Sequence, residues 1–365
     1  MGTTKKNKWF MITGIAIGIV IILIVGGCAF LNQPSFGRLP QGERLERIKR
    51  SPQYRNGEFH NQHATELMTS DKNRWQAMWN FLFSKPERLT PDIPVPTVRT
   101  NLKELGQNTD LLVWFGHSSY LLQLSGRRIL VDPVFCMASP VSFVNKPFKG
   151  TDIYHPADMP DIDYLIISHD HWDHLDYNTV KQLKDRVRKV IVPLGVGEHF
   201  EYWGYNKQDI IELDWMEDAQ PEEGFTFHCL PARHFSGRGL KSNRTLWASF
   251  LVESPLLNVY IGGNGGYDTH FKEIGEKFRN IDLAILENGQ YNEDWKYIHT
   301  MPVYLGREAR ELGAKQVMTV HHSKYALARH PWDEPLKNEL HAAQDDSLDL
   351  VVPKIGEITR LHRKR

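Results

Sequence analysis

Histidine and aspartate side chains crowd the segment that runs from residue 168 to residue 176. Alternate side chains of an extended backbone point to the same side, so His169 and His171 can bind one metal ion. The chain then turns, which places Asp173 and His174 where they can bind a second ion. Nitrogen ligands joined by a carboxylate suit zinc best, with iron and manganese as alternatives. This spacing predicts a metal site.

An apolar run at residues 164–167 comes directly before this segment and is typical of a buried strand. The candidate ligands therefore lie on a loop at a strand end, where open α/β sheets carry their chemistry. Asp176 is placed to act as the N-cap of a following helix. That helix would carry on one face the apolar side chains of Tyr177, Val180, Leu183 and Val187.

Apolar and polar segments alternate along the rest of the chain. We predict strands at residues 111–115, 121–124, 128–131, 164–167, 190–192, 210–213, 225–230, 246–252, 259–262, 283–286 and 316–320. We predict helices at residues 177–188, 269–278, 302–312 and 336–343, with Gly313 as a C-cap. Strands first with helices interspersed favour an α/β sandwich of sheets with helices outside.

Composition narrows the classes of function. The chain has 365 residues, and its Lys+Arg and Asp+Glu counts are both 44, so the formal net charge is zero. No basic excess exists to hold a polyanion, which argues against a nucleic-acid partner. The 17 histidines fit a metal protein, although His60 and His63 are expected at the surface. Cys136 and Cys229 are predicted to be buried thiols.

Residues 9–31 contain no charged side chain, and roughly 20 such residues cross a bilayer core. We predict a membrane anchor at residues 1–31. Three preceding lysines favour a cytoplasmic N-terminus and an extracytoplasmic, periplasmic catalytic domain, whereas basic residues between 38 and 50 oppose that orientation. A second interpretation is a bacterial lipoprotein signal, because residues 25–28 resemble a cleavage box that would leave a lipidated Cys28.

Residues 32–105 are polar and rich in proline, and they predict a linker and wrapping extension before the domain at residues 106–365. Residues 71–83 within the extension could form a helix. Its aromatic side chains would either contact the main core or form an interfacial membrane patch. These side chains belong to Trp75, Trp79, Phe81 and Phe83.

The pattern His-x-His-x-Asp-His at residues 169–174 resembles the signature of the metallo-β-lactamase superfamily. The surrounding sequence is similar to one branch, the N-acyl-phosphatidylethanolamine-hydrolysing phospholipase D family. The similarity extends over residues 114–327, with landmarks in the family's order at residues 116–119, 131–133, 167–178, 192–195, 212–215, 246–249 and 266–267. It implies a four-layer αββα sandwich with a two-metal site at one edge of the sheets.

Two later histidines extend the ligand set. His234 lies just beyond the predicted strand at residues 225–230, where the resemblance implies a ligand that completes the first metal site with His169 and His171. His321 ends the predicted strand at residues 316–320 and would join Asp173 and His174 at the second metal. Sequence position alone leaves the neighbouring His322 as a competitor, and the resemblance favours His321.

The resemblance also calls for a carboxylate that bridges the two metals within a run like Gly-Asp-x-Gly-Tyr. This chain has Gly-Asn-Gly-Gly-Tyr at residues 263–267, so the bridging position is Asn264. A neutral amide offers one weak oxygen where an anion would clamp two cations. We expect weaker binding at one metal position unless water and Asp173 compensate. Asp268 would need a different loop path to substitute.

The resemblance implies two divalent cations, with zinc preferred to other metals. These cations would hold a hydroxide that attacks the phosphorus atom of the substrate. The bond between phosphate and N-acylethanolamine is cut and phosphatidic acid remains, so a phospholipid and its membrane are the expected partners. Asp173 belongs to the catalytic set. Asp132 would orient a ligand histidine or the water. His299 would contact the phosphate or protonate the leaving group.

Two other functions remain open from the sequence. The same scaffold carries hydrolases of small esters, lactones or sugar phosphates, because a fold alone does not fix the substrate. A binding protein with a degenerate metal site is the alternative from a different class, and Asn264 is the residue that favours it. Nothing in the sequence indicates the oligomeric state.

Overall fold

The computed structural model of the chain describes residues 3–69, 79 and 86–363. The first element is a long helix, α1 (Thr3–Leu31). Its apolar part, Asn7–Leu31, is 25 residues long and none of it is buried against the rest of the protein. At 1.5 Å per residue this part is roughly 37 Å long, enough to cross a bilayer core. One helix of the described chain is therefore long and apolar enough to span a membrane.

The segment after α1 packs along the main domain. It contains helix α2 (Gly42–Ile48) and a short hairpin, β1 (Tyr54–Arg55) with β2 (Glu58–Phe59). Ile48 and Phe59 are fully buried in the main core. The predicted helix at residues 71–83 lies outside the described residues, apart from an exposed Trp79.

Two seven-stranded sheets form the centre of the molecule. The first contains β3 (Leu111–Trp114), β4 (Tyr120–Leu124), β5 (Arg127–Val131), β6 (Ile162–Ile166), β7 (Val187–Pro193) and β8 (Ile210–Leu213). The second contains β9 (Asp218–Glu222), β10 (Phe225–Leu230), β11 (Ser249–Glu253), β12 (Asn258–Ile261), β13 (Leu283–Glu287), β14 (Gln316–Val320) and β15 (Leu350–Val351). The last strand, β16 (Ile358–Arg360), returns to pair with β3 in the first sheet.

Strands β5 to β8 are parallel, and so are β12 to β15. The strand order is β16-β3-β4-β5-β6-β7-β8 in one sheet and β15-β14-β13-β12-β11-β10-β9 in the other. Parallel neighbours end at the same edge of a sheet, so the loops after β5, β6, β13 and β14 converge. This edge carries the candidate ligands.

Helices cover the outer faces of both sheets. They are α3 (Tyr177–Leu183), α4 (Gly197–Tyr202), α5 (His270–Lys277), α6 (Leu305–Leu312) and α7 (Glu334–Asp346). One apolar core lies between the sheets, a second joins α3 to the first sheet, and a third joins α5 and α6 to the second. The layers are therefore αββα, which confirms the predicted fold.

Some sequence predictions were wrong in detail. The strand predicted from residue 246 begins at Ser249, because the backbone N–H groups of Leu246 and Ala248 donate to Leu194 and Ser168 in the other sheet's loops. The helix predicted to residue 188 ends at Leu183, since β7 begins shortly after it. Cys136 is exposed, not buried.

Gly313 caps α6 in the left-handed conformation with φ 64°, as predicted. The helix itself begins at Leu305, three residues later than predicted, because Pro302–Tyr304 forms a 3₁₀ turn first. Strands β1, β2, β9, β15 and β16 were missed. They are short or polar edge strands without an alternating apolar pattern.

Candidate metal centre

His169, His171 and His234 form a group of three ring nitrogens at the edge of the sheets. Nε2 of His169 lies 2.9 Å from Nδ1 of His171, and Nε2 of His234 lies 3.3 Å from that same atom. The far nitrogen of His234, Nδ1, donates to the carbonyl of Ile298 at 2.6 Å. With Nδ1 carrying the proton, Nε2 presents a lone pair to the group.

Electrostatics keep this group neutral. Burial, together with repulsion between neighbouring histidines, holds the pKa of His169 and of His234 well below 6.5. Burial also lowers the pKa of His171 to about 4. Neutral imidazoles whose lone pairs converge are the ligands that zinc prefers. This trio is the one the sequence assigned to the first metal, although its role as a ligand set stays a prediction.

A second group surrounds the carboxylate of Asp173 and contains His174, His321 and His117. Nε2 of His117 donates to Oδ2 of Asp173 at 2.9 Å, and Nε2 of His321 lies 3.3 Å from the same oxygen. Nε2 of His174 lies 3.6 Å from it. Burial alone raises the pKa of Asp173, but the facing histidines, His174 foremost, outweigh it and hold that pKa well below 3.8.

His117 is a member of the second group that the sequence reasoning did not assign as a ligand. It follows β3, in a backbone conformation with φ 53°, and its backbone N–H donates to the carbonyl of His322. Its ring is fully buried, and burial lowers its pKa to about 3. The sequence feature that could have identified His117 is its position within the family landmark at residues 116–119, close to the end of a strand.

Asp132 supports the second group from behind. Its carboxylate accepts from the backbone N–H of Ser168 at 2.8 Å and from the Ser168 hydroxyl at 2.6 Å. It also accepts from Nδ1 of His174 at 2.8 Å. That contact places the ring proton of His174 on Nδ1 and leaves the lone pair of Nε2 facing the group. The geometry suits the orienting role predicted for Asp132.

Glu287, at the end of β13, was missed by the sequence reasoning. Its buried carboxylate accepts from Nδ1 of both His299 and His321, the latter at 2.8 Å, and from the backbone N–H of Gly265 at 2.8 Å. Burial alone lowers the pKa of His321, but attraction to Glu287 and hydrogen bonds to Glu287 and Asp173 raise it to about 9. Glu287 therefore connects His299 with the second group.

Asn264 lies in contact with the second group. Its Nδ2 is 3.1 Å from Nε2 of His321, and its Oδ1 is buried without a hydrogen-bond partner in the described part of the chain. Asp268 does not replace it, because that carboxylate faces His63 at 3.0 Å and Arg233 at 3.6 Å.

His322, the competitor of His321, points away from both groups. Its Nε2 lies 3.0 Å from the Thr319 hydroxyl and its Nδ1 lies 2.8 Å from the Ser323 hydroxyl. His60 and His63 are equally remote, since the ring of His60 faces the Arg55 carbonyl at 3.1 Å. The three-dimensional structure thus brings together His169, His171, Asp173, His174, His234, Asn264, His299 and His321, with Asp132 directly behind.

The donor set fits divalent cations. Nε2 of His174 and Oδ1 of Asn264 are buried and have no hydrogen-bond partner among the described residues. Buried polar atoms are rarely left unpaired, and both atoms belong to side chains that face the centre. Adjacent nitrogen-rich and carboxylate-containing groups are the composition expected for two neighbouring zinc-type sites.

A cavity of about 380 Å³ opens onto both groups. Its polar wall includes His171, Asp173, His299 and His321. Its apolar wall is formed by Leu67, Met68, Phe235, Trp295, Ile298 and Leu327. A ligand with a polar head and apolar chains matches these two walls.

Comparison with known proteins agrees with the fold. The sequence matches the beta-lactamase superfamily domain over residues 127–322. An uncharacterized protein of Mycobacterium tuberculosis is 37% identical over 319 residues, which cover 85% of this chain and 84% of that protein. The N-acyl-phosphatidylethanolamine-hydrolyzing phospholipase D 1 of Caenorhabditis elegans is 31% identical over 267 residues, 67% of this chain and 74% of that protein.

Among solved structures, Igni18, a metallo hydrolase from the archaeon Ignicoccus hospitalis, aligns with a TM-score of 0.53 at 19% identity. The alignment covers 70% of this chain and 100% of that chain. The chain therefore belongs to the metallo-β-lactamase superfamily. It is a hydrolase of that fold, and such hydrolases bind divalent metal ions.

Proposed function

We propose that this protein is a membrane-tethered phosphodiesterase that hydrolyses N-acyl-phosphatidylethanolamine, or a related phospholipid, to N-acylethanolamine and phosphatidic acid. The observation that carries the proposal is the cavity next to the two histidine groups, because it joins a metal-binding floor to an apolar wall. The similarity to the Caenorhabditis elegans phospholipase D supports the choice of reaction.

The proposal gives each half of the centre a set of ligands. His169, His171 and His234 would hold one divalent cation, and the Asp173 group with Asn264 would hold the other. When bound, two such cations supply Lewis-acid activation of water near neutral pH and offset charge on phosphate oxygens.

The remaining residues act through contacts of their own. His299 lines the cavity, and Nδ1 of its ring donates to Glu287, which leaves Nε2 to face a substrate. With both ring nitrogens protonated, Nε2 of His299 would donate to a phosphate oxygen or pass its proton to the departing alkoxide of N-acylethanolamine. Asp132 would keep His174 oriented. Leu67, Met68 and Leu327 would receive acyl chains.

The membrane part of the proposal rests on α1. The apolar part of α1 is not buried against the domain, and its residues 9–31 carry no charge, so lipid is the environment that stabilises it and we expect full-length protein in the membrane fraction. We expect deletion of the residues before Gln33 to release a folded, soluble domain. The positions of Lys5, Lys6 and Lys8 favour a periplasmic catalytic domain. Recovery of full-length protein in the cytosolic fraction after gentle lysis would contradict this.

A product analysis tests the reaction. Purified full-length protein in detergent micelles with zinc is incubated with N-acyl-phosphatidylethanolamine, and lipids are identified by mass spectrometry. We expect N-acylethanolamine and phosphatidic acid in equal amounts, and far less of both with His169→Ala. Release of free fatty acid, or turnover only of a lactone or a sugar phosphate in parallel reactions, would overturn the proposal and favour the small-ester or sugar-phosphate hydrolase.

A binding protein with a degenerate site is the second candidate, and Asn264 is the observation that favours it. It predicts that the same reaction yields no product with zinc, iron or manganese. It also predicts that Asn264→Asp restores metal binding and turnover together.

A further inference from the structure

A second cavity, of about 490 Å³, lies where the chain leaves α1. Leu31, the last residue of the apolar span, lines this cavity together with Asn32. The cavity and the metal-centre cavity share no lining residue in the described part of the chain. It is therefore a separate feature of the molecule.

Positive charge dominates the lining. Four cationic side chains line the cavity, Arg38, Arg238, Lys241 and Arg244, against the single carboxylate of Asp170. That carboxylate is already occupied, because it accepts from the backbone N–H of Gly237 at 2.7 Å and from the Thr245 hydroxyl at 2.9 Å and faces His199 at 3.2 Å.

Two of the four cations have donors to spare. Lys241 is exposed and makes no hydrogen bond or ion pair within the described residues. Arg244 donates through one terminal nitrogen to the Gly57 carbonyl, while its Nε is buried without a partner among those residues. An anionic oxygen in the cavity is the partner that best matches the positive charge of these two side chains.

The other two cations form the rigid wall. Arg238 is buried and donates to the carbonyls of Ser35, Asp170 and Leu175, with its guanidinium 4.1 Å from the Trp172 ring centroid. Arg38 pairs with Glu198 at 2.8 Å. These contacts hold the lining in place without consuming Lys241 or Arg244.

Position sets the class of anion. Leu31 both ends the apolar part of α1 and lines the cavity, so with α1 across a bilayer the cavity would open at the depth of the lipid headgroups. Leu240 at its rim is 85% exposed and Leu39 is 40% exposed. Exposed apolar side chains beside free cations suit a molecule with a phosphate and acyl chains, whereas a small soluble anion would use only the cations.

We propose that this cavity binds the phosphate headgroup of an anionic membrane phospholipid, apart from the metal centre and its substrate. The proposal rests on the membrane anchoring of α1 and is independent of which bond the metal centre cuts. Lys241 and Arg244 contact the phosphate, and Leu240 and Leu39 contact the acyl chains.

Native mass spectrometry of the full-length protein in detergent micelles tests this, with dioleoyl-phosphatidylglycerol and dioleoyl-phosphatidylcholine as probes. We expect one phosphatidylglycerol per chain, bound roughly tenfold or more tightly than phosphatidylcholine. The double variant Lys241→Ala/Arg244→Ala should lose that preference. The matched control Lys272→Ala/Arg279→Ala removes two exposed cations elsewhere and should keep it.

The outcomes separate the sources of phosphate. Excess inorganic phosphate should leave most phosphatidylglycerol bound, because it lacks the acyl contacts; complete displacement would overturn the assignment to a lipid. Equal binding of phosphatidylglycerol by the double variant and the unmodified chain would overturn the site itself. Should the double variant unfold, Lys241→Glu, at an exposed residue without contacts in the described structure, must weaken phosphatidylglycerol binding by itself. Turnover of N-acyl-phosphatidylethanolamine in micelles is measured separately, so the two proposals fail independently.

Discussion

The two halves of the metal centre are built from different chemistry. The half formed by His169, His171 and His234 consists of neutral imidazoles, one of them fixed by a backbone carbonyl. The half around Asp173 is a network of charges in which histidines pair with carboxylates on several sides. A cation entering the first half meets free lone pairs, whereas one entering the second must replace existing ion pairs.

Asn264 enlarges this difference, because its amide lies 3.1 Å from Nε2 of His321 in the second half. A carboxylate at that position would add a negative charge between two cations, and the amide adds none. We therefore expect two metal ions of unequal affinity, the tighter one bound by the three neutral histidines.

The largest effects should come from removing a ligand of either half. We expect His169→Ala and His321→Ala each to lower turnover of N-acyl-phosphatidylethanolamine on the order of a thousandfold, because each loses a ligand that its cation needs. Steady-state rates in micelles at saturating zinc measure this. His60→Ala is the matched control, since its ring faces the Arg55 carbonyl and belongs to neither histidine group of the described residues. A loss in His60→Ala as large as in the other two would remove the distinction between ligand and surface histidines.

Glu287→Gln should have an intermediate effect confined to the second half. The amide keeps the size of the side chain but removes the charge that holds His299 and His321, so we expect a loss of roughly ten- to a hundredfold in turnover. The metal affinity of the second half should fall and that of the first should not. Glu253→Gln, which loses a similar contact to His228 far from the centre, should leave both unchanged. Equal weakening of both metal ions would mean that the halves are not separate.

Asn264→Asp should have the smallest of these three effects, which is a change in the affinity of the second half for its metal ion. We expect the weaker zinc ion to bind about tenfold more tightly, which raises the melting temperature in saturating zinc by a few degrees. The metal-free protein should gain little, because an added carboxylate there is an unmatched charge. Turnover should rise. Calorimetric melting with and without zinc measures the effect, and identical curves for the two forms would mean that Asn264 does not face a bound cation.

Much of this candidate centre could be predicted from local sequence, because its side chains follow apolar strands, although the choice of His321 over His322 rested on the family resemblance. His169, His171, Asp173, His174 and His321 lie directly after β6 or β14, where a strand pattern ends in polar residues. A sandwich of sheets with helices outside was predictable for the same reason, since buried parallel strands leave continuous apolar runs. The four αββα layers followed from the resemblance to the metallo-β-lactamase superfamily.

The rest depends on contacts between distant segments. Glu287 lies at the end of β13, much as His321 follows β14, but a lone glutamate in the sequence does not match any ligand pattern. Its role is evident only from the contacts it makes with the rings of His299 and His321. Residues 246–248 are apolar like a strand, but their N–H groups bond to loops of the other sheet. Such pairings belong to the packed fold and leave no local periodicity.

Zinc titration of the purified full-length protein, followed by native mass spectrometry, tests the unequal two-metal centre most directly. We expect two zinc ions per chain that bind in separate steps, with His169→Ala abolishing the tighter step and His321→Ala the weaker one. A single zinc ion per chain, or loss of the same step in both variants, would contradict it.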